Sequence, residues 1–352
     1  MTVRTHIVMV NWNGATDTIE CLESLLRLQG DFAVTVCDNG STDGSIDKIV
    51  AWAQGPAPAA DWSQRMAHMG PRRLRQPTFR LLTTGDSVQA GPPPVITILD
   101  TGANLGFAGG NNAGIRLALA DEGCAYIWLL NNDTVVDPQA LLALLARMQD
   151  TAVAVCGSTL LFYDDPGTVQ ALGSAFDLGR ALGRPIGLGV SATSLPGQAE
   201  VELQMAYVVG ASLLTRREVM ARTGGLCEDY FLYFEEIDLS RRLAPGEGLG
   251  WAPQSVVYHK EGGSIGTSSR GRSSPTSVYY LRVNLLRFYQ RYHPALLPVA
   301  FARIAREAFL DFSNRDTPAL NASALAVGDF LCGRRRVGPI SFASSQKPVP
   351  HG

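Results

Sequence analysis

Short apolar runs and helix-spaced apolar residues take turns along most of the chain. The runs at residues 6–10, 33–37, 95–99 and 126–130 are nearly continuous and short enough for strands buried on both faces. Each is followed by apolar residues at helical spacing: Ile19, Leu22, Leu25 and Leu26; Ile46, Ile49 and Val50; Ile115, Leu117 and Leu119; Leu141, Leu142, Leu145 and Met148. Strand, polar loop and helix in that order predict an α/β fold with a mostly parallel, doubly wound sheet.

The sharpest change of character falls within residues 126–138. The apolar run stops at Asn131, Asn132 and Asp133, a second β-prone segment follows, and Asp137-Pro138 reads as a helix N-cap with proline at the first helical position. Ligands of open α/β sheets bind at the carboxyl ends of the strands, so 131–133 is expected at the mouth of a site. A carboxylate there suits a hard divalent cation whose other ligands are waters and phosphate oxygens. A polar strand end that merely turns into the next helix accounts for the same residues.

Further along, 153–157, 205–214 and 251–258 have strand character, the last ending at His259 and followed by Gly262, Gly263 and Ser264. The Gly- and Pro-rich region 164–198 reads as loops or a β excursion. Gly224-Gly225 turns the chain into an aromatic stretch, 230–234, and then Glu235, Glu236 and Asp238, acids that suit a helix N-terminus. The loop 104–114, rich in Gly and Asn, resembles a phosphate cradle at a helix start, although its spacing is not GxGxxG; a tight structural turn is the other reading. Residues 55–94, with many prolines and with Arg65, Arg72, Arg73, Arg75 and Arg80, read as an insertion with a short strand at 79–82, either a solvated loop or a basic lid.

Composition narrows the class. The 352 residues are 46% hydrophobic and 18% charged with a net charge of -2, which fits a globular protein with a sizeable core and speaks against nucleic acid as partner. No stretch has the length and apolarity of a membrane span, and the start shows no signal-peptide pattern. Cys21, Cys37, Cys124, Cys156, Cys227 and Cys332 form no CxxC pair and read as reduced, largely core residues. From 262 to 306 seven arginines (Arg270, Arg272, Arg282, Arg287, Arg291, Arg303 and Arg306) stand among aromatic and leucine residues without any acid. Such a segment can lie on anionic lipid, cover a phosphate site, or be an amphipathic helix packed on the domain.

Taken in order, Val10-Asn11-Trp12-Asn13-Gly14, Asp38-Asn39-Gly40-Ser41-Thr42-Asp43-Gly44-Ser45, Asn104-Leu105-Gly106-Phe107-Ala108-Gly109-Gly110-Asn111-Asn112, Asn131-Asn132-Asp133 and Phe231-Leu232-Tyr233-Phe234-Glu235-Glu236-Ile237-Asp238-Leu239 resemble the family 2 glycosyltransferases, and most of all their rhamnosyltransferase branch. The resemblance implies a GT-A fold over 1–265, broken by the insertion at about 55–94, then a helical extension over 266–335 and a mobile tail over 336–352. It implies inverting transfer of a sugar, L-rhamnose from dTDP-L-rhamnose being favoured, from a nucleotide-sugar donor to a glycan or lipid-linked acceptor of cell-surface polysaccharide, assisted by Mg²⁺ or Mn²⁺. The expected location is the cytoplasm, with peripheral contact to anionic lipid at the inner face of the plasma membrane.

Carried over by position, Asn11, Asn13 and Asp38 would line the nucleoside pocket, with Asn104, Gly106, Asn111, Asn112 and Asn132 completing the donor site. Asn131 to Asp133 occupies the family's DxD metal motif with Asn131 in place of its first Asp, and His259 matches a metal ligand of some relatives. Glu236 stands where the family has its catalytic base, usually Asp. Glu235 and Asp238 would hold the acceptor or pair with Arg241 and Arg242. Two other readings remain at this level. A sugar-phosphate nucleotidyltransferase would want a basic, Gly-rich loop after the first strand, and Asn11-Trp12-Asn13-Gly14 has no basic residue. An inactive nucleotide-sugar-binding homologue is suggested by Asn131 and Glu236.

Overall fold

Five parallel strands form one half of the central sheet, in the order β3-β4-β2-β1-β5. They and their helices are β1 (Arg4–Asn11), α1 (Ala15–Leu25), β2 (Phe32–Asp38), α2 (Ser45–Gln54), β3 (Phe79–Thr83), β4 (Ile96–Asp100), α3 (Gly106–Ala120) and β5 (Cys124–Leu130). The structure is a computed structural model that describes residues 4–55, 66, 69–74, 77–86, 93–260 and 273–340. Arg65, Arg75, Gly262, Gly263, Ser264, Arg270, Arg272 and the tail beyond 340 lie outside the described residues.

The second half continues the same sheet with β6 (Thr134–Val136), α4 (Ala140–Arg147), β7 (Val153–Phe162), β8 (Val169–Ala171), β9 (Ser174–Asp177), β10 (Leu182–Pro185), α5 (Gln198–Gln204), β11 (Ser212–Arg216), α6 (Arg217–Thr223), α7 (Glu235–Arg241) and β12 (Gly248–His259). β11 is inserted antiparallel between β5 and β7, β12 runs parallel to β7, and β6 closes the far edge. The region read as loops or a β excursion is the latter: β8 pairs with β7, and β9 with β10. Three helices follow: α8 (Pro275–Tyr292), α9 (Leu297–Ser313) and α10 (Thr317–Leu331). No helix of the described residues is long and apolar enough to cross a membrane.

Strand periodicity divides the core between the two faces of the sheet. Ile7 and Met9 of β1 pack with α1 and α4, whereas Val8 between them packs with α3 and α6. The helix α3 lies directly on β1, and of the two readings of the 104–114 glycines the packing one accounts for Gly110 and Gly114. The helix already begins at Gly106, so Gly110 and Gly114 are in its interior, where a Cβ on Gly114 would stand 2.5 Å from Val8 Cγ1 and 2.9 Å from Cys37 Sγ. They are small because two backbones approach each other there.

Two boundaries also differ from expectation. α4 starts at Ala140 rather than at Pro138, because Asp137 N–H is still bonded to Val256 O of the sheet (3.1 Å) and its Oδ1 accepts from Gln139 N–H (2.9 Å) in a turn that precedes the helix. β11 starts at Ser212, not at 205: Ala206 and Tyr207 donate to Ser174 O, and 207–211 runs along a cavity instead of pairing in the sheet. The described basic residues of the insertion bond back to the domain. Arg72 pairs with Glu23 of α1, Arg73 reaches Leu28 O (3.3 Å), and Arg80 reaches Thr97 Oγ1 (3.2 Å).

The described part of the Arg-rich segment forms α8 and the first half of α9, and α8 is packed on the domain. Tyr279, Tyr280, Leu286, Phe288 and Tyr289 of α8 are fully buried, and Ser274 caps the helix with Pro275 at its first turn. Its arginines meet protein partners: Arg282 with Asp311 (2.7 Å) and Glu307 (3.5 Å), Arg291 with Asp238 (3.3 Å), and Arg303 of α9 with Glu307 (2.6 Å). α9 carries neighbouring exposed aromatic side chains, Phe309 and Phe312, which are 67% and 68% accessible.

Because Val8 is β-branched and cannot swing aside, Gly114→Ala should destabilise the fold by about 1–3 kcal/mol. Urea unfolding checks this; an unchanged midpoint would show that the α3–β1 contact has slack.

Candidate active site

The carboxyl ends of the parallel strands open onto a cavity of about 770 Å³, whose opposite wall is built by residues 231–237 and by α8 and α9. Of the positions singled out from sequence, Asn104, Gly106, Asn131, Asn132, Asp133, Glu235, Glu236 and His259 line it. Asn11, Asn13, Asp38, Asn111, Asn112 and Asp238 do not.

Behind the strand-end wall is a closed polar network. Asn11 Nδ2 donates to Asp38 Oδ2 (2.7 Å) and Ser41 Oγ (3.1 Å), and Asn11 Oδ1 accepts from Thr18 Oγ1 (2.8 Å). Asn132 Nδ2 donates in turn to Thr18 Oγ1 (3.0 Å), and Asp38 Oδ1 accepts from Ser41 N–H (2.9 Å). Asn13 Oδ1 accepts from Thr42 N–H (2.8 Å), which joins the loops after β1 and β2. Asn11 and Asp38 have no accessible surface, so they brace this wall while Trp12 and Asn39 present it. Asn39 holds the loop before α3 by accepting from Leu105 N–H (3.0 Å) and donating to Gly106 O (3.0 Å). Asn111 and Asn112 serve the second wall's foundations: Asn111 donates to Phe107 O (2.9 Å), and Asn112 to Leu226 O (2.9 Å) and Glu228 Oε1 (2.8 Å).

At the end of β5, Asp133 Oδ1 stands 3.2 Å from His259 Nε2, and Asn131 Nδ2 is 3.4 Å from the same nitrogen. His259 Nδ1 lies 2.8 Å from Gln170 Oε1, an acceptor, so a neutral His259 carries its proton on Nδ1 and turns the Nε2 lone pair toward the carboxylate. Two acceptors converging in this way fit a cation, and the Gln170 bond is the kind of support that orients a ligating imidazole. Among the described residues no three His, Cys, Asp or Glu side chains cluster as a metal cage. The donor set therefore fits an ion that keeps water or phosphate oxygens in most of its positions.

The facing wall is strained. Phe231, Tyr233 and Phe234 all have positive φ (60°, 67° and 77°), a conformation that costs non-glycine residues of order 1–3 kcal/mol each. Leu232 N–H bonds back to Tyr230 O (2.7 Å), closing a γ-turn around Phe231. Phe231 O accepts from Phe107 N–H (2.7 Å), and a Cβ on Gly106, itself at φ 75°, would run into that carbonyl. The strained segment delivers α7 with Glu235 and Glu236 on the cavity. Glu236 Oε1 accepts from Gly210 N–H (3.1 Å), and any side chain at 210 would displace the carboxylate.

Burial pushes the Glu236 carboxyl above its ordinary pKa, opposed by the Gly210 N–H. Glu235 is pushed further up, by burial first and then by the charges of Glu236 and Asp238, and neither of its oxygens has a hydrogen-bond partner among the described residues. Asp238 points away from the cavity into a nest of Arg242 (2.7 Å), Tyr292 Oη (2.7 Å) and Arg291 (3.3 Å). Sequence reasoning passed over Gln170, Tyr207 and Gly210. Gln170 sits on a three-residue strand in Gly- and Pro-rich surroundings and carries no pattern of its own.

A mostly parallel sheet whose strand ends form a polar, cation-suited wall facing carboxylates across a deep cavity is the architecture of the GT-A fold. A mannosyltransferase from Pyrobaculum calidifontis, solved with GDP-Man and Mn²⁺, superposes with a TM-score of 0.51 at 13% identity, covering 95% of this chain and 89% of that one. Residues 1–349 of S. aureus TarS with UDP-GlcNAc give 0.52 at 12% identity, covering 93% and 80%. At these identities the likeness is one of fold. The family model "Glycosyl transferase family 2" matches residues 86–193, which contain Asn131 to Asp133 and Gln170 but not Glu235 or Glu236.

An N-acetylglucosaminyl-diphospho-decaprenol L-rhamnosyltransferase of Mycobacterium tuberculosis is 26% identical over 278 residues, 74% of this chain and 77% of its own. The low-salt glycan biosynthesis hexosyltransferase Agl10 of Haloferax volcanii is 28% identical over 147 residues, 42% of this chain and 46% of its own. The O-antigen biosynthesis protein RfbC of Myxococcus xanthus is 32% identical over 173 residues, 48% of this chain and 13% of its own. Residues 86–193 thus match the family 2 glycosyltransferase model, while the aligned part spans less than half the length of two of these curated relatives.

Glu235 also makes stability depend on pH. A carboxyl whose folded pKa is raised costs nothing below its unfolded pKa, and the cost grows as pH rises through the folded value. Glu235→Gln should therefore raise Tm at pH 8 and leave it nearly unchanged at pH 4; an equal gain at both would mean that the charge is not the source.

Proposed function

We propose that the protein moves a sugar from a nucleotide-sugar donor to a hydroxyl of a glycan or lipid-linked acceptor, with inversion at the anomeric carbon and dTDP-L-rhamnose as the favoured donor. The observation that carries this is the opposition, across one cavity, of Asp133 and His259 to Glu236. The M. tuberculosis relative, named for transfer of L-rhamnose to a diphosphate-linked lipid, supports the choice of sugar and acceptor class.

In this reading the donor lies along the strand-end wall, its nucleoside against Trp12 and Asn39, which Asn11, Asn13 and Asp38 hold in place. Asn104, Gly106 and Asn132 border the same side. Mg²⁺ or Mn²⁺ held by Asp133 and His259, with Asn131 beside them, would neutralise charge on the leaving diphosphate. Glu236 takes the proton of the acceptor hydroxyl as its oxygen bonds to the anomeric carbon, and the bond from that carbon to the diphosphate breaks. The Gly210 N–H fixes one oxygen of Glu236 and leaves the other to act. Glu235, kept neutral by burial, donates a hydrogen bond to a substrate hydroxyl, and Asp238 braces the helix that carries both.

Glu236→Gln should lower kcat by about 10²–10⁴-fold with donor binding close to wild type. Since the Glu236 carboxyl titrates above the ordinary range and must be ionised to act, the acid limb of the wild-type kcat profile should lie above that range too. Asp133→Asn should abolish metal-dependent donor binding in calorimetry while leaving Glu236 in place. Full metal-dependent turnover in either variant would remove that residue from its role.

Contact with anionic lipid fits α9 better than α8. Phe309, Leu310 and Phe312 are exposed beside Arg306 and Arg315, and the same helix sends Arg303 and Glu307 to the cavity, so a lipid-borne acceptor would arrive next to the site. Replacing Phe309 and Phe312 by Asp should weaken sedimentation with anionic vesicles at least about tenfold, each phenylalanine being worth roughly 1.5–3 kcal/mol when buried. Equal binding of variant and wild type, or no wild-type binding at low salt, would exclude this face.

A further inference from the structure

We propose that Asn284 and Arg287 of α8 are positioning residues for the carboxylates of α7, acting through the backbone of residues 230–233. The proposal rests on the reading of Glu236 as the base. Asn284 has no accessible surface, and a buried amide is tolerated only where its hydrogen bonds are made. Its Nδ2 donates to the carbonyls of Tyr230 (2.6 Å), Leu232 (2.8 Å) and Tyr233 (3.3 Å). In a strand successive carbonyls alternate in direction, and in a helix they run along the axis. Here three carbonyls of a four-residue stretch turn toward one side-chain nitrogen. The γ-turn at Phe231 and the left-handed residues at 233 and 234 are the backbone that makes this convergence possible.

Arg287 sets which end of the amide faces the loop. Its Nη1 donates to Asn284 Oδ1 (2.9 Å) and to Asp229 O (3.3 Å), and its Nη2 to Arg334 O (2.9 Å). Among the described residues it makes no ion pair with a carboxylate, so its bonds orient rather than neutralise. Phe107 N–H holds Phe231 O from the opposite side, and the loop is gripped between the helix on β1 and the C-terminal helices. Glu235 follows Phe234 directly, so any relaxation of this loop rotates the first turn of α7 and draws Glu236 off the Gly210 N–H. Neither Asn284 nor Arg287 lines the cavity. Their effect on the reaction is one of geometry.

The test compares Asn284→Ala, Asn284→Asp and Arg287→Ala with wild type in transfer kinetics, in nucleoside diphosphate binding by calorimetry, and in hydrogen–deuterium exchange. Displacement of a reacting group by about 1 Å costs on the order of 100-fold, and Asn284→Ala should lower kcat by about that much. Donor KM and diphosphate affinity should stay within about threefold, as expected when only transition-state geometry is lost. Exchange should rise in peptides covering 230–236 and stay unchanged in β1 and β5. Asn284→Asp, which turns a carboxylate toward three carbonyls, should lose at least as much, and Arg287→Ala an intermediate amount. Arg287→Ala is nearer the surface and carries the test alone if the Asn284 variants do not fold.

Wild-type kcat in a folded Asn284→Ala, or a loss that falls equally on diphosphate affinity, would overturn the proposal. A wild-type protein that transfers no sugar while exchange at 230–236 still rises in the variants would overturn the assignment of Glu236 and leave the clamp standing.

Discussion

The bond from Phe107 N–H to Phe231 O is the joint on which the rest of the site depends. One partner is the first turn of the helix on β1, and the other is the γ-turn that introduces α7. Together with the bonds of Asn112 to Leu226 O and Glu228 Oε1, that contact ties the strand-end wall to the carboxylate wall. Its geometry explains Gly106, which must be left-handed and must leave room for a carbonyl. Strain at residues 231–234 is then the cost of aiming two carboxylates into a cavity from a helix only seven residues long.

Electrostatics divides the site in a consistent way. On the strand side, nearly every buried polar group is answered by another: Asn11, Asp38, Thr18 and Asn132 form a closed set. On the α7 side, among the described residues, the Glu235 side chain is left without hydrogen bonds and the Glu236 carboxylate has the Gly210 N–H. Satisfied networks make rigid walls, while a buried carboxyl without a protein partner keeps its hydrogen-bonding capacity for a ligand, a water or an ion.

The first half of the fold was legible because its strands are buried on both faces and its helices keep a regular apolar spacing. β1, β2 and β5 show as apolar runs, and Asn131 to Asp133 shows as their abrupt end. Where tertiary contact decides, the residues alone left alternatives open or misplaced a boundary. Glycines at 110 and 114 look the same whether they cradle an anion or let two elements touch, and only the packing on Val8 and Val10 tells them apart. Residues 205–211 are apolar enough for a strand, yet they are drawn out of the sheet to line the cavity. The arginines of α8 were read without their acids, because Asp238, Glu307 and Asp311 lie on other helices. Gln170 reaches the cavity and His259 by position alone, and no local pattern marks such a residue.

The cysteines have a further consequence for the chemistry of the molecule. Cys21, Cys37 and Cys156 are enclosed by the sheet and its helices, and burial pushes their thiols up to about 12; Cys124 reaches about 11. Since the thiolate is the reactive species, these four are inert to alkylating and oxidising reagents while the fold is intact. Cys332, exposed just after α10, and the half-buried Cys227 beside Arg291 are the two that a reagent meets. The protein therefore carries a built-in reporter: thiol reactivity at the C-terminal helices reads the surface, and the appearance of the other four reads the opening of the sheet.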